Sequence, residues 1–132
     1  MTELHKDLTL LGKAVQGTIS AEQLETFPAP AVDEVKFVTR EVTSFCPVTH
    51  QPDIYTVEID YTPAEKCVES KSLKLYLNSF RDEGIFGESL AAKIADDLFK
   101  VLEPSDLTVR TIQQPRGGLQ MTSTAFRIKF ND

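Results

Sequence analysis

A thiol and a carboxylate, Cys46 and Asp53, form the most reactive pair in this 132-residue sequence. They stand in a segment rich in turn residues, including Pro47 and Pro52, between two strand-like runs. A thiolate can attack an electrophilic carbon, and a carboxylic acid held nearby can protonate the atom that receives the electrons. The pair therefore predicts covalent catalysis from a loop at a strand end. The alternatives are a small buried cysteine and an aspartate that only shapes a turn.

The second cysteine and the nearby histidine carry less information. Cys67 has no acid or base at a suggestive spacing, which favours a filler role. His50 could raise the thiolate fraction of Cys46 by charge pairing, or it could be a solvated loop residue. With two histidines and two cysteines in the chain, no paired metal-ligand spacing arises, so no metal site is predicted.

Three cations are candidates for holding a phosphorylated cofactor. Lys71 and Lys74 would act as point charges, and Arg116 would act as a forked donor. Gly117 and Gly118 would let backbone amides approach a phosphate closely. Lysines on an amphipathic helix are also common as its solvated face. No glycine-rich nucleotide fingerprint is present, so a cofactor would need another binding architecture.

Composition excludes several classes of protein. The chain has a formal net charge of −6 and no basic run, so direct nucleic-acid binding is not expected. Its apolar runs are too short to span a bilayer, and residues 1–7 are too polar for a secretion signal. These features predict a cytoplasmic protein with free thiols and no membrane partner.

The order of predicted elements indicates an α+β domain. Residues 35–42 and 54–61 alternate as half-buried strands do, with Tyr55, Val57, Ile59 and Tyr61 on one side of the second. Apolar residues then recur at helical spacing from Leu73 to Phe80, with Ser70 or Ser72 as the expected N-cap and Gly84 beyond the end. A second helix runs to Leu102 and stops at Pro104, with Glu88 near its start, where the helix dipole favours a carboxylate.

Two late strands, 107–113 and 119–130, complete a predicted four-stranded antiparallel sheet with both helices on one face. Residues 115–118 connect these strands. We expect a single domain spanning 1–132, in which residues 1–34 form an irregular arm lying on the domain or on a neighbour. The bare outer face and open edges of such a sheet favour oligomerisation.

Three segments together resemble the QueF family of nitrile reductases. They are the Phe-Cys-Pro and Gln-Pro-Asp motifs within residues 45–53, the Glu-Ser-Lys-Ser-Leu-Lys-Leu-Tyr run of residues 69–76, and the Pro-Arg-Gly-Gly turn of residues 115–118. Further similarity lies at residues 8–12, at Phe86 and at Glu88, so the resemblance covers most of the chain. It implies a tunnelling fold (T-fold), in which subunits associate into a β-barrel, rings stack in pairs, and active sites lie between subunits.

The resemblance also implies a reaction. The family reduces 7-cyano-7-deazaguanine to 7-aminomethyl-7-deazaguanine with two NADPH, a step in making queuosine for transfer RNA. Cys46 would add to the nitrile carbon to give a thioimide, and Asp53 would protonate the nitrogen. Substrate contacts would come from Val68, Glu69, Ser70, Gly87 and Glu88, and cofactor contacts from Ser70, Lys71, Lys74, Arg116 and Gly117.

One position departs from the family pattern. A histidine commonly precedes the glutamate equivalent to Glu88, and Gly87 stands there in this sequence. The change opens a second hypothesis, a QueF-like amidinotransferase in which ammonia attacks the same thioimide, although those relatives generally lack the cofactor segment that is kept here. A T-fold subunit that binds a purine without turning it over is a third hypothesis. Cyclohydrolase or pterin-aldolase activity is a fourth, and the former typically needs zinc ligands that this chain cannot supply.

Overall fold

The computed structural model describes residues 17–130 of the chain. Its strands are β1 (Thr26–Pro28), β2 (Val35–Phe45), β3 (Pro52–Thr62), β4 (Lys66–Val68), β5 (Asp106–Gln113) and β6 (Thr122–Ile128). Its helices are α1 (Ser70–Asn78) and α2 (Gly87–Leu102), with short 3-10 turns at Ala21–Gln23 and Ser79–Asp82. Neither α-helix of this described part is long and apolar enough to cross a membrane.

Four strands form the main antiparallel sheet in the order β2-β3-β5-β6. The predicted alternation is confirmed on β3, where the side chains of Tyr55, Val57, Ile59 and Tyr61 are all buried. β2 continues to Phe45, three residues beyond the predicted strand, and has a register shift between Thr39 and Val42. β6 is shorter than predicted: it begins at Thr122 and ends at Ile128, and Leu119, the first residue of the predicted strand, pairs with Arg116 in a tight turn.

Both helices cover one face of this sheet, as predicted. α2 packs mainly on β5 and β6, and α1 lies beside β2. Their apolar residues join the inward residues of β3 in one core, which includes Leu73, Tyr76 and Phe80 from the first helical segment. Leu90, Ile94 and Leu98 of α2 are fully buried in it. The helix ends at Leu102, where Glu103 takes a left-handed conformation just before Pro104.

The expected N-cap of α1 was wrong. The cap is Glu69, whose carboxylate accepts hydrogen bonds from the backbone N–H groups of Lys71 and Ser72, at 2.7 and 2.8 Å. Ser72 lies inside the helix instead, where its hydroxyl donates to the Glu69 carbonyl and accepts from the Glu25 N–H. A glutamate reaches the orphan N–H groups here because its side chain is buried against the helix start.

A second, two-stranded sheet was not predicted. β1 pairs antiparallel with β4, matching Thr26 with Val68 and Pro28 with Lys66. β1 belongs to the segment expected to be an irregular arm, and residues 1–16 of that segment lie outside the described residues. The described part lies on the domain, since Ile19 and Leu24 are buried and the Ile19 N–H donates to the Leu75 carbonyl.

Candidate active site

Cys46 opens a tight loop between β2 and β3. Its N–H donates to the Gln51 carbonyl and its carbonyl accepts from the His50 N–H, both at 2.8 Å. Phe45 and Pro52 are the last paired residues of the two strands, so the loop is anchored directly on the sheet. Cys46 is partly exposed, in contrast to Cys67, which is buried.

The loop lowers the pKa of the Cys46 thiol. The main cause is a hydrogen bond with the Thr49 hydroxyl, followed by the backbone N–H groups of Thr49 and Val48, which stabilise the thiolate. Burial and the negative charge of Asp53 act in the opposite direction. His50, which was expected to act on this thiol, is not among the causes, and its ring lies 5.8 Å from that of Phe45. The sequence analysis missed Thr49, whose signal is a hydroxyl three residues after a cysteine in a turn.

Asp53 is the second residue of β3 and is 5 % exposed. Its carboxylate forms an ion pair with Arg116, and the same guanidinium donates to the Gln51 side chain at 2.6 Å. Arg116 reaches this position from the turn between β5 and β6, where Gly117 and Gly118 have φ of 60° and 80°. Such positive angles favour glycine in a tight hairpin turn. Gln51 is a further member of the cluster that the sequence analysis missed.

The start of α2 is tied to the end of β2. The Phe45 N–H donates to the Glu83 carbonyl at 3.0 Å, and the Phe45 carbonyl accepts from the Ile85 N–H at 3.1 Å. Gly84 allows this approach, because a β carbon there would lie 2.7 Å from the Phe45 ring. Gly87 is therefore brought near the reactive loop, and its carbonyl accepts from the buried Thr111 hydroxyl. Glu88 follows in the first turn of α2 and is exposed.

The remaining predicted site residues lie at the β4–α1 junction. The Val68 N–H donates to the Tyr61 hydroxyl at 3.0 Å, which places the junction beside the far end of β3. Glu69 is 5 % exposed and caps α1, whereas Ser70 is exposed. Lys71 is half-buried and Lys74 is exposed, and neither forms an ion pair within residues 17–130.

The comparisons with known proteins decide the family. Residues 52–131 match the family model described as QueF-like protein. The chain belongs to the QueF-like family. It is 46% identical over 111 residues to a protein of Anaeromyxobacter sp. (strain Fw109-5) named NADPH-dependent 7-cyano-7-deazaguanine reductase, covering 82% of this chain and 91% of the relative.

Two further similarities agree with this QueF-like assignment. A protein of the same name from Frankia casuarinae is 48% identical over 103 residues, covering 77% of this chain and 82% of that protein. The solved structure of the archaeosine synthase QueF-Like in the apo form superposes with a TM-score of 0.69 at 22% identity, covering 74% of this chain and 95% of that one. The latter similarity confirms the α+β T-fold.

A single QueF-like chain divides the predicted site between two ends of the sheet. Cys46, Asp53 and Arg116 cluster where β3 begins, with Gly87 and Glu88 close by. Val68 to Ser70 lie near Tyr61, eight residues further along β3, which corresponds to about 26 Å of extended strand. A single small heterocycle cannot touch both groups in one copy.

A shallow cavity of about 470 Å³ lies beside the reactive loop, lined by residues that include Phe45, His50 and Arg81, but not by Cys46 or Asp53. Within residues 17–130, no group of three or more histidine, cysteine, aspartate or glutamate side chains could hold a metal ion. The groups that the loop region offers for chemistry include the Cys46 thiol, the Asp53 carboxylate and the Arg116 guanidinium.

Proposed function

We propose that this chain reduces 7-cyano-7-deazaguanine to 7-aminomethyl-7-deazaguanine with two NADPH, in queuosine biosynthesis. The relatives named above carry this reductase activity in their names. The observation that carries the proposal is the partly exposed Cys46 thiol, whose pKa is lowered by Thr49, on the same hairpin as the buried carboxylate of Asp53. A protein that only bound a purine would need neither group.

The reaction begins at the thiol. The Cys46 thiol passes its proton to the Asp53 carboxylate as the sulfur adds to the nitrile carbon, one carbon–nitrogen π bond breaks, and Asp53 delivers that proton to the nitrogen. The product is a covalent thioimide, which accepts hydride more readily than the nitrile does. Two hydride equivalents and further protons then convert the thioimide carbon to the amine carbon, and the sulfur leaves as the thiol.

Several groups of the chain could bind the phosphates of NADPH. NADPH supplies the two hydrides when it is bound. Lys71 and Lys74 carry positive charges without ion-pair partners in the described residues, and Ser70 beside them is exposed. Around Gly117, a β carbon would meet nothing within 4 Å, so the backbone is open to a phosphate. These groups fit a phosphorylated cofactor, whereas Arg116 is shared with Asp53.

Substrate recognition requires a second copy of the chain. Glu88 would accept hydrogen bonds from the donor edge of the deazaguanine, and Val68, Glu69 and Ser70 would complete the pocket from a neighbouring subunit. In Glu69, the carboxylate is held by the start of α1, so its role would be to fix the backbone of the pocket wall. Within the described residues, β2 and β6 lie at the two edges of the main sheet. Each could pair with a strand of a neighbouring copy in a ring or barrel.

The decisive experiment mixes the protein with the nitrile. We expect an ultraviolet band from the thioimide, its discharge by NADPH, and loss of both in Cys46→Ala. Cys67→Ala is the matched control, because Cys67 is buried in β4. Adduct formation that only ammonia discharges would assign the chain as an amidinotransferase, and absence of any adduct would favour a binding protein.

A further inference from the structure

Two buried hydroxyl groups next to the reactive loop lie close to each other and form no hydrogen bond of standard geometry within residues 17–130. They are the Tyr55 Oη and the Ser44 Oγ. Tyr55 is 1 % exposed and Ser44 is 2 % exposed, so solvent cannot satisfy either group. An unpaired buried hydroxyl destabilises the folded state, which makes it a candidate for a group that a ligand satisfies.

Both hydroxyls belong to the residues that surround Asp53. Ser44 is the pairing partner of Asp53 across β2 and β3, and Tyr55 follows Asp53 by two residues on the same face of β3. The neighbouring Ser44 hydroxyl acts on the Tyr55 hydroxyl, and so do the charges of Asp53, Glu88 and Arg116. Burial raises the pKa of Tyr55, so the hydroxyl keeps its proton and can donate it in a hydrogen bond.

The ring of Tyr55 also fills the space in front of Gly87. A β carbon at position 87 would lie 3.1 Å from Tyr55 Cε1 and 3.3 Å from Tyr55 Oη. It would also lie 2.8 Å from the terminal methyl of Met121, which closes the other side. A methionine can move aside for a ligand because its side chain is long and unbranched. The phenol ring of Tyr55, which extends from β3, thus occupies the space that a side chain at position 87 would need.

We propose that the Tyr55 and Ser44 hydroxyls are substrate contacts, which hydrogen-bond the nitrile-bearing heterocycle between the Cys46–Asp53 pair and Glu88. Gly87 makes room for the Tyr55 ring in this arrangement. The inference rests on the proposed function and deepens it, because it assigns two specificity-determining residues to the same site. A phenol can both donate and accept, so it suits a planar ligand whose edge carries nitrogen and oxygen.

The test separates binding from folding. In a Cys46→Ala background, where no covalent bond forms, Tyr55→Phe should weaken calorimetric binding of 7-cyano-7-deazaguanine by about tenfold, the effect of one hydrogen bond. Ser44→Ala should also weaken it. The melting temperature should stay the same or rise, because each substitution removes an unsatisfied polar group. Loss of affinity with unchanged or greater stability is a combination that a purely structural hydroxyl would not produce.

Tyr76→Phe is the matched control. Tyr76 is also buried, but its hydroxyl donates to Asp97, away from the reactive loop. This variant should lower the melting temperature and leave nitrile affinity unchanged. Affinity of Tyr55→Phe within twofold of its parent would overturn the inference while the proposed reductase function stands. Absence of nitrile binding by the parent, together with no adduct in the wild type, would overturn both.

Discussion

At the scale of single residues, the reactivity of Cys46 depends on the shape of its loop. His50 has a φ of 61°, which turns the chain back so that it can pair as β3. The loop then brings the Thr49 hydroxyl and two backbone N–H groups to the sulfur. A thiolate stabilised by hydrogen bonds needs no neighbouring cation, so the Cys46 thiolate can form beside the negative charge of Asp53.

Thr49→Val should raise the pKa of the Cys46 thiol. The Thr49 hydrogen bond favours the thiolate, so its loss lowers the fraction of Cys46 that is thiolate at neutral pH. The thiol should then become reactive only at higher pH. The rate of alkylation by iodoacetamide as a function of pH measures the shift. Thr124→Val, at an exposed position of β6, is the control. A superimposable pH profile for Thr49→Val would show that this hydroxyl does not tune the thiol.

Gly87→His should destabilise the fold by about 1–3 kcal/mol, the usual effect of overpacking. The new β carbon would press on the Tyr55 ring and the Met121 methyl. In a Tyr55→Ala background, Gly87→His should destabilise less than it does in the wild type, because the ring that occupies the space is gone. Urea unfolding of both single variants and the double variant measures this coupling. Simple additivity of the two effects would mean that residues 55 and 87 do not compete for one volume.

At the scale of elements, the junction of β4 and α1 combines a capping interaction with residues that we propose bind the cofactor. Glu69 is buried because it caps the helix, and the adjacent Ser70 and Lys71 therefore start a well-fixed turn. A helix N-terminus also carries a partial positive charge, which adds to the lysines in attracting phosphate. The same capping interaction would thus shape the proposed pocket wall and position the proposed cofactor-binding residues.

Glu69→Ala should cost about 1–2 kcal/mol of unfolding free energy, because two backbone N–H groups of α1 lose their acceptor. Chemical denaturation checks this value. Ser70→Ala, next to it and exposed, should leave stability nearly unchanged. Equal stability of Glu69→Ala and the wild type would contradict the capping role.

Lys71→Gln should raise the Michaelis constant for NADPH far more than it slows thioimide formation. The charge is expected to meet the cofactor, and it has no ion-pair partner in the described residues. Steady-state kinetics and the adduct band measure the two effects separately. Lys100→Gln, exposed on α2, is the control. We expect Arg116→Gln to impair both steps, since Arg116 also binds Asp53.

At the scale of the whole molecule, the separation of the two half-sites argues for an assembly. One half of the proposed site lies at the start of β3 and the other about 26 Å away near its end, so we propose that two copies build a complete site. The outer sheet face and strand edges also carry exposed apolar side chains, including Val38, Ile54 and Phe126. Burying such groups between copies would stabilise a ring or barrel.

Mixed assemblies should therefore show complementation. Cys46→Ala and Lys71→Glu each damage a different half-site, so each variant alone should be inactive at low NADPH. Refolding them together should restore part of the activity, because some interfaces then combine two intact halves. Native mass spectrometry verifies that mixed oligomers form. Mixed oligomers without recovered activity would place both half-sites of a functional unit in the same copy.

Local patterns were sufficient to predict much of the fold. β3 and α2 are each buried on one side. This burial produces an alternation of apolar residues in β3 and an apolar stripe in α2, and both patterns are visible within a short stretch of sequence. The pairing of β1 with β4 could not be predicted, because both strands are only three residues long and are stabilised by each other. The Glu69 cap was missed because serine is the commoner N-cap and the burial of a glutamate depends on its tertiary surroundings.

By itself, the sequence determined the α+β class, the reactive pair Cys46 and Asp53, and the family resemblance, because each depends on residue types at short spacings. Only the tertiary structure decided that Arg116 binds Asp53, that the Tyr55 ring fills the space before Gly87, and that the β4–α1 junction lies far from the thiol. Contacts between residues distant in the chain follow from how strands pair and helices pack. Such long-range contacts leave no periodic pattern or fixed spacing in a single sequence, so they could not be predicted from it.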